Sequence, residues 1–441
     1  MDRGSIAPSH TRIQKISSLT REARLHHSTR MNRTMRVAWN ILPSIGPRSG
    51  VGWYTAATLE ALKASSGSGE TYLEFPGTAG RLLRKGWFLI RPWMVKPGKR
   101  NKAGAFSAGA QAPTEETWKS KALGRARAIQ EAYLSRMLDR WHDHGQVDLY
   151  HEPNFLPVPT RVPTVTTFHD LSSLTHPEWH PVDRVKVFEK RARGGIERSS
   201  HFFTLSKAVR DELVGVLGLR PGQITITPMG VRNHLRPVPL AEQDIVLGRL
   251  GLPRGSFLHV GTLEPRKNLL LLAKAWCDLP AEDRQRHPLV LVGGWGWRCD
   301  DLRDFLQTNG FASGIRHLGY VDDQDLPALY SSAHALLFPT KYEGFGMPPI
   351  EMMACGGAVI ASTAPAVREV LDGQGHLVEI EDQTGWREAM LRASRHPEWV
   401  ESLRIGATDW ASRFTWAETA RITREGYGKA LGFRDSLRRA A

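Results

Sequence analysis

The chain has 441 residues, of which 41% are hydrophobic and 24% charged, a composition typical of a folded protein long enough for two domains. It contains no apolar run of the about 18 residues that predicts a transmembrane helix. Its basic N-terminus lacks the apolar segment of a secretory signal. Three widely spaced cysteines predict neither a metal site nor a disulfide framework, so the expected location is the reducing cytoplasm.

The net charge of +14 is concentrated in two segments. Residues 1–35 carry a net charge of +5 and residues 81–102 a net charge of +8, so together they hold 13 of the 14 excess charges. A nucleic-acid-binding protein would spread basic residues over its core motifs. The distribution therefore indicates one local attractive surface and argues against a nucleic-acid partner.

The N-terminal part predicts a disordered basic tail over residues 1–35, followed by a first domain over residues 36–240. A buried strand begins at Arg36, and a glycine-containing loop leads into a helix from Trp53 to Lys63. Gly50 and Gly52 lie in this loop, where the backbone could approach an anion at the N-terminus of the helix.

Residues 81–102 combine eight basic residues with two tryptophans and several aliphatic side chains. This composition suits contact with an anionic membrane surface or a lipid-linked acceptor, but it also fits a buried element with basic edges. Residues 101–115 predict a mobile loop, and residues 116–143 a long amphipathic helix.

A β-branched strand over residues 163–170 ends in His169 and Asp170. A histidine at the carboxyl end of a parallel strand faces the crevice where ligands bind in such sheets. Asp170 could orient His169 or cap the segment that follows. Ser206, which comes directly after the next strand, is expected to be a helix N-cap.

The second domain is predicted over residues 241–413. Its strands alternate with helices, which indicates a second parallel sheet. The first strand ends at Gly261, and Arg266 and Lys267 follow before a helix, well placed to bind a diphosphate. Later strands end near Gly293 and Tyr320. An Asp-x-Asp sequence at 323–325 could bind a metal, although helix capping is the preferred interpretation.

Residues 338–362 predict a strand, a glycine-rich loop, a helix and another strand. Glu343 lies in the loop and Glu351 is expected in the first turn of the helix, with seven residues between them. Two carboxylates at this edge could bind the hydroxyl groups of one polar ligand. Glu351 could alternatively only complement the helix dipole. Residues 414–441 predict a final helix.

The stretch from Glu343 to Gly356 resembles the signature of family 4 of the retaining, nucleotide-sugar-dependent glycosyltransferases, which carry Glu, seven residues and Glu within E-G-F-G-x-P-x-x-E-x-x-A-x-G. The segments around Arg266–Lys267 and His169 resemble the same family, the latter its bacterial mannosyl- and rhamnosyltransferase branch. The loop at 50–54 also fits, except that Ser49 replaces a glycine.

The resemblance implies the α/β GT-B fold, two Rossmann-like domains facing each other across a cleft, with the last helix crossing back to the first domain. It implies a retaining hexosyltransferase that needs no metal or other cofactor. Arg266, Lys267, Glu343 and His169 would be catalytic. The donor nucleotide sugar, GDP- or UDP-linked with GDP-mannose favoured, would also contact a further set: Gly50, Gly52, Gly261, Gly293, Tyr320, Gly344, Phe345, Gly346 and Glu351.

The same resemblance implies a saccharide or lipid-linked acceptor in surface polysaccharide synthesis. The enzyme would then be cytoplasmic and could reach the inner face of the plasma membrane through residues 81–102. Two alternatives stay open: another GT-B enzyme, such as a nucleotide-sugar epimerase, and a non-catalytic GT-B binding subunit.

Overall fold

The structure, a computed structural model, describes residues 34–46, 50–77 and 118–440, without the side chains of residues 118–127, 190–191 and 433–440. The predicted tail up to residue 33, the basic segment 81–102 and the loop 101–115 therefore lie outside the described residues. The first strand begins at Met35, one residue earlier than expected.

In the described part of the chain, twelve strands form two separate six-stranded sheets. The strands are Met35–Asn40 (β1), Glu70–Phe75 (β2), Leu149–Glu152 (β3), Thr164–Phe168 (β4), Ser199–Thr204 (β5), Ile224–Ile226 (β6), Phe257–Val260 (β7), Leu289–Val292 (β8), Arg316–Gly319 (β9), Ala335–Phe338 (β10), Val359–Ser362 (β11) and His376–Val378 (β12). The order in the first sheet is β2-β1-β3-β4-β5-β6 and in the second β12-β11-β10-β7-β8-β9.

The helices connect these strands on both faces of each sheet. They are Gly50–Ala64 (α1), Trp118–Asp143 (α2), Ser172–Thr175 (α3), Val182–Arg198 (α4), Lys207–Leu217 (α5), Leu240–Leu250 (α6), Leu269–Cys277 (α7), Ala281–Arg286 (α8), Asp300–Phe305 (α9), Leu326–Ser332 (α10), Met347–Ala354 (α11), Pro365–Leu371 (α12), Gln383–Arg395 (α13), Pro397–Arg404 (α14), Ala407–Ala411 (α15) and Trp416–Ala440 (α16).

All strand pairs in both sheets are parallel, which confirms the expected α/β fold of two parallel sheets. Parallel strands need crossover connections, and the alternating helices provide them. The sequence analysis missed two edge strands, β2 and β12. β12 has only three residues and β2 mixes polar and apolar side chains without a regular period, so neither has the continuous apolar run of the central strands.

The chain passes between the two sheets at two neighbouring points. The backbone N–H of Val231 donates a hydrogen bond to the carbonyl oxygen of Phe414 at 2.9 Å. A Cβ on Gly230 would lie 2.7 Å from the carbonyl carbon of Thr415, so only glycine permits this approach. The two crossing segments, residues 230–232 and 414–416, are called the hinge below.

The last helix, α16, packs on the first domain. It contacts α1, β5 and β6, and its Tyr427 is fully buried, with the hydroxyl 2.7 Å from Nδ1 of His151 in β3. By contrast, α6, which follows the first crossing, packs against α10 of the second domain. The hydroxyl of Ser206, after β5, donates a hydrogen bond to the carbonyl oxygen of Gly344, after β10, so the carboxyl ends of the two sheets face each other.

Candidate active site

The carboxyl ends of β7 and β8 approach each other through two glycines. Gly261 has φ +150° and Gly293 has φ +138°, values that L side chains rarely adopt. A Cβ on Gly293 would lie 2.6 Å from the carbonyl carbon of Gly261. Any side chain at Gly293 would therefore close the space at the end of these strands. Tyr320, directly after β9, is 80% exposed and borders the same edge.

Arg266, Lys267 and Glu343 meet at this edge, as the strand order explains. The two cations follow β7 and the glutamate follows β10, and β7 and β10 are neighbours in the sheet. Nη1 of Arg266 lies 2.8 Å from Oε2 of Glu343, and Nζ of Lys267 lies 2.5 Å from Oε1. Thr340 donates a hydrogen bond to the same Oε1 at 2.9 Å.

A second carboxylate balances this cluster. Nε of Arg266 lies 2.6 Å from Oε1 of Glu264, whose side chain is buried. The four formal charges of Arg266, Lys267, Glu264 and Glu343 therefore cancel. Such pairing is what allows Lys267, only 5% exposed, to remain inside the protein.

Burial and ion pairing act in opposite directions on these groups. Burial would raise the pKa of Glu343, but the charges of Arg266 and Lys267 outweigh it and lower the pKa to about 2. Burial lowers the pKa of Lys267, and Glu343 only partly offsets this. Burial also works against the Arg266 charge, but Glu343 and Glu264 hold its pKa above the usual value. Glu343 therefore stays ionised at neutral pH and is an acceptor only.

His169 stands opposite this cluster, on the first domain. Its Nε2 lies 2.7 Å from the carbonyl oxygen of Pro153, so this nitrogen carries the proton, and its ring lies edge to face with Tyr54 at 4.9 Å between centroids. Burial lowers its pKa, which favours the neutral ring. Asp170 does not orient His169: its Oδ1 accepts hydrogen bonds from the backbone and hydroxyl of Ser172 and so begins α3.

The loop of Glu343 touches the first domain directly. The Gly344 backbone packs against the His169 carbonyl group, where a Cβ would overlap it. Ser206 donates a hydrogen bond to the carbonyl oxygen of Gly344 at 2.7 Å and accepts one from the Val209 backbone at 3.3 Å. Its expected capping role is thus confirmed, and the same hydroxyl also joins the two domains.

Phe345 is 4% exposed and packs edge to face with Phe414 at 5.8 Å, so its side chain belongs to the core near the hinge. The donor contact expected for this residue stays a prediction. One expectation for this loop needs correction. Helix α11 begins at Met347, after Gly346 with φ +93°, which places Glu351 in the second turn. The interpretation of Glu351 as a first-turn partner of the helix dipole was therefore wrong.

Glu351 is 6% exposed and has two defined partners. Nη2 of Arg232 lies 2.8 Å from Oε1, and the Tyr330 hydroxyl donates a hydrogen bond to Oε2 at 2.9 Å. Arg232 also forms an ion pair with Asp323. Asp325 lies 2.5 Å from Nη2 of Arg249 and makes no capping hydrogen bond. The Asp-x-Asp acids thus pair with arginines, and the expected side-chain cap was wrong.

The first glycine segment also differs from the expectation. Helix α1 begins at Gly50 instead of Trp53, so Gly50 and Gly52 lie in its first turn and not in the preceding loop. A Cβ on Gly50 would meet nothing within 4 Å. The first-turn N–H groups of a helix lack intrahelical acceptors and favour anions.

Several residues of this region were not singled out in the sequence. Glu264 and Thr340 complete the charged cluster, and Tyr342 joins the domains by accepting a hydrogen bond from the Leu171 backbone at 3.0 Å and donating one to Glu212 at 2.5 Å. Glu264, Thr340 and Tyr342 lie within three residues of predicted site residues, and that proximity was the available signal. Arg232 has no such local signal, because its partners are remote in the chain.

Among the described residues, no group of three or more His, Cys, Asp or Glu side chains could hold a metal ion. Within the same part of the chain, no helix is both long and apolar enough to span a membrane. The membrane contact expected for residues 81–102 stays a prediction, because that segment lies outside the described residues.

Comparisons with known proteins agree with this architecture. Residues 254–396 match the family model of glycosyl transferases group 1, and residues 105–234 match that of Glycosyltransferase Family 4. The chain is 35% identical over 310 residues to the Escherichia coli O-antigen chain mannosyltransferase B, covering 69% of this chain and 81% of the relative.

A second relative and a solved structure extend the comparison. The E. coli serotype-specific mannosyltransferase WbdA is 28% identical over 61% of this chain, which matches 34% of the relative's length. The crystal structure of Anabaena Alr3699/HepE with UDP and glucose has a TM-score of 0.63 at 16% identity, covering 89% of this chain and 99% of that one. The expected GT-B fold is thereby confirmed, and the chain belongs to glycosyltransferase family 4.

Proposed function

We propose that this glycosyltransferase moves a hexose from a nucleotide sugar to a saccharide or lipid-linked saccharide of a surface polysaccharide, with retention of anomeric configuration. GDP-mannose is the first candidate donor. The mannosyltransferase names of the E. coli relatives support this choice of sugar. The observation that carries the proposal is the meeting of Arg266, Lys267 and Glu343 at the sheet edge opposite His169.

Arg266 and Lys267 would stabilise the diphosphate as the bond to the sugar breaks. Preorganised charges of this kind commonly supply several kcal/mol to a transition state. Because the formal charges of the cluster cancel among themselves, the incoming diphosphate would replace Glu343 as the partner of at least one cation. The released Glu343 carboxylate, ionised at neutral pH, would then accept hydrogen bonds from hydroxyl groups of the donor sugar.

The remaining donor contacts follow the strand ends. Glu351 would accept hydrogen bonds from the ribose hydroxyls, and the first turn of α1 at Gly50 and Gly52 would face the phosphates. The base would lie near Gly261, Gly293 and Tyr320. The backbone of Gly344–Gly346 would border the sugar, while the Phe345 side chain would support the loop from the core.

His169 would contact the donor sugar from the first domain. Its neutral ring, with the proton held on Nε2, offers Nδ1 as an acceptor. The acceptor saccharide would enter from the same domain, and the departing phosphate would take the proton of the attacking hydroxyl. No covalent nucleophile and no metal ion are needed in this scheme. Residues 81–102 would bring the enzyme to an anionic surface that carries a lipid-linked acceptor.

The first test is a thermal shift of the purified protein with GDP, UDP, dTDP and ADP without added metal. A nucleotide at about 100 times its Kd should stabilise the fold by about 2.7 kcal/mol. A shift with GDP selects GDP-mannose for assay, and the anomeric configuration of the product is then read by proton NMR. A shift with UDP alone would refute the mannose assignment. A folded sample that binds none of the four would support a non-catalytic subunit.

A further inference from the structure

Arg232 lies directly after Val231, where the chain crosses between the two domains. The Val231 backbone is hydrogen bonded to Phe414 of the second crossing segment. Any movement of one domain against the other must therefore act close to Arg232. Its side chain is only 9% exposed, so its position is defined by the groups that it contacts.

The Arg232 guanidinium contacts both domains at once. Nη2 lies 2.8 Å from Oε1 of Glu351 in α11, and Nη1 pairs with Asp323, which follows β9. The guanidinium carbon lies 5.2 Å from the ring centroid of Trp53, in the first turn of α1. This distance allows a cation–π interaction. Further titratable groups face this network: His234 lies 3.1 Å from Asp323, and Tyr330 and Cys355 face Glu351.

The Glu351 carboxylate keeps acceptor capacity in this arrangement. Arg232 contacts one oxygen and the Tyr330 hydroxyl the other. An ionised carboxylate offers about four lone-pair sites, so two remain for other donors. Without Arg232 the carboxylate would keep only the Tyr330 hydroxyl as a hydrogen-bond partner, and its orientation would be less well fixed.

We propose that Arg232 is a positioning residue for donor recognition. It holds the Glu351 carboxylate oriented for the two ribose hydroxyls of the nucleotide, and its contact with Trp53 makes this orientation depend on the closed arrangement of the domains. The inference rests on the proposed function, in which Glu351 binds the ribose. Nothing in the family motif that identifies Glu351 includes Arg232.

The test compares the binding of GDP and 2′,3′-dideoxy-GDP by calorimetry, or of the UDP pair if UDP gives the thermal shift. Hydrogen bonds to a charged group should make the wild-type chain bind the dideoxy nucleotide at least about tenfold more weakly. In Arg232→Gln the ratio of the dideoxy-GDP Kd to the GDP Kd should fall below about threefold, because GDP binds more weakly. Arg232→Lys should restore part of this discrimination between the two nucleotides. Arg249→Gln, which breaks the ion pair to Asp325 instead, should keep the wild-type ratio.

Steady-state kinetics supply a second readout. Loss of ribose contacts made equally in the ground and transition states should raise the donor KM of Arg232→Gln at least about tenfold and leave kcat within about threefold. Equal weakening of both nucleotides would mean a merely structural role and would overturn the inference while leaving the proposed function intact. No binding of any nucleoside diphosphate by the wild-type chain would overturn both. If Arg232→Gln does not fold, Arg232→Lys decides by the same ratio.

Discussion

Replacing Gly344 by alanine should separate the two domains without disturbing either fold. The Gly344 backbone packs against the carbonyl group of His169, and a Cβ would lie 2.9 Å from its carbon and closer still to its oxygen. Both atoms belong to backbone, so no flexible side chain can yield. The φ angle of Gly344 is outside the left-handed region, and alanine is therefore compatible with the local conformation. The clash across the cleft is the main perturbation.

The size of the effect follows from the contacts beside the clash. Relief of the overlap needs a separation of at least about 1 Å, which would stretch the hydrogen bond from Ser206 to Gly344 (2.7 Å) and that from Leu171 to Tyr342 (3.0 Å) beyond a useful length. Each is worth about 1 kcal/mol. A displacement of about 1 Å at reacting groups can reduce turnover about 100-fold.

The assay combines turnover with hydrogen–deuterium exchange. Gly344→Ala should lose about 100-fold or more in turnover, and the Leu171 amide should exchange faster because its acceptor has moved away. The thermal unfolding midpoint should change by only a few degrees, since the core of each domain is untouched. Gly215→Ala, in α5, is the matched control, because a Cβ there meets nothing within 4 Å. Wild-type turnover and unchanged exchange at Leu171 would refute the closed contact between the domains.

Three further predictions concern the charged cluster, acid stability and the cleft. Lys267→Met should lower turnover by about two to three orders of magnitude. The control Lys341→Met loses the ion pair to Glu381 and should keep turnover within about threefold of the wild type. Equal turnover of the two variants would refute the diphosphate assignment. Burial lowers the pKa of His201, His259 and His334 to about 4. Below about pH 6.5 the unfolded chain therefore binds more protons at these histidines than the folded chain does. The free energy of unfolding should fall by about 2 kcal/mol per histidine between pH 7 and pH 5. His259→Phe should therefore show a shallower fall of the unfolding midpoint with acid, and a slope like that of the wild type would contradict this account. Glu369 accepts hydrogen bonds from the backbone N–H groups of Lys207 and Ala208 at 2.7 and 3.0 Å. Glu369→Gln should therefore destabilise the N-terminus of α5 by about 0.5–1 kcal/mol and speed amide exchange there. Unaltered exchange would show that this contact does not form in solution.

Much of the second domain was readable from local pattern. Its central strands are short apolar runs buried on both faces, which is why residues 257–260, 289–292 and 335–338 were recognised as strands. Pro348 and Pro349 lie at the start of α11, and Gly356 adopts φ +77° after its end, as their backbone preferences predict. These residues act through their own dihedral angles, so position in the chain is sufficient.

Side-chain roles that depend on distant partners were not readable. Phe345 lies in the glycine loop at the sheet edge, but its side chain packs in the core against Phe414, 69 residues later. Asp323 and Asp325 have the pattern of helix-capping acids, yet arginines from the first crossing segment and α6 pair with them. Capping is a local interaction of about 1 kcal/mol, and a well-oriented ion pair can replace it.

The sequence by itself therefore determined the alternation of strands and helices, the two parallel sheets and the residues at their carboxyl ends, because each depends on interactions within a few positions. Only the tertiary structure decided what those residues contact. The order of β7 and β10 brings Arg266 and Lys267 to Glu343, and the hinge brings Arg232 to Glu351. Such contacts join residues more than 70 positions apart, and their geometry arises from how the elements pack.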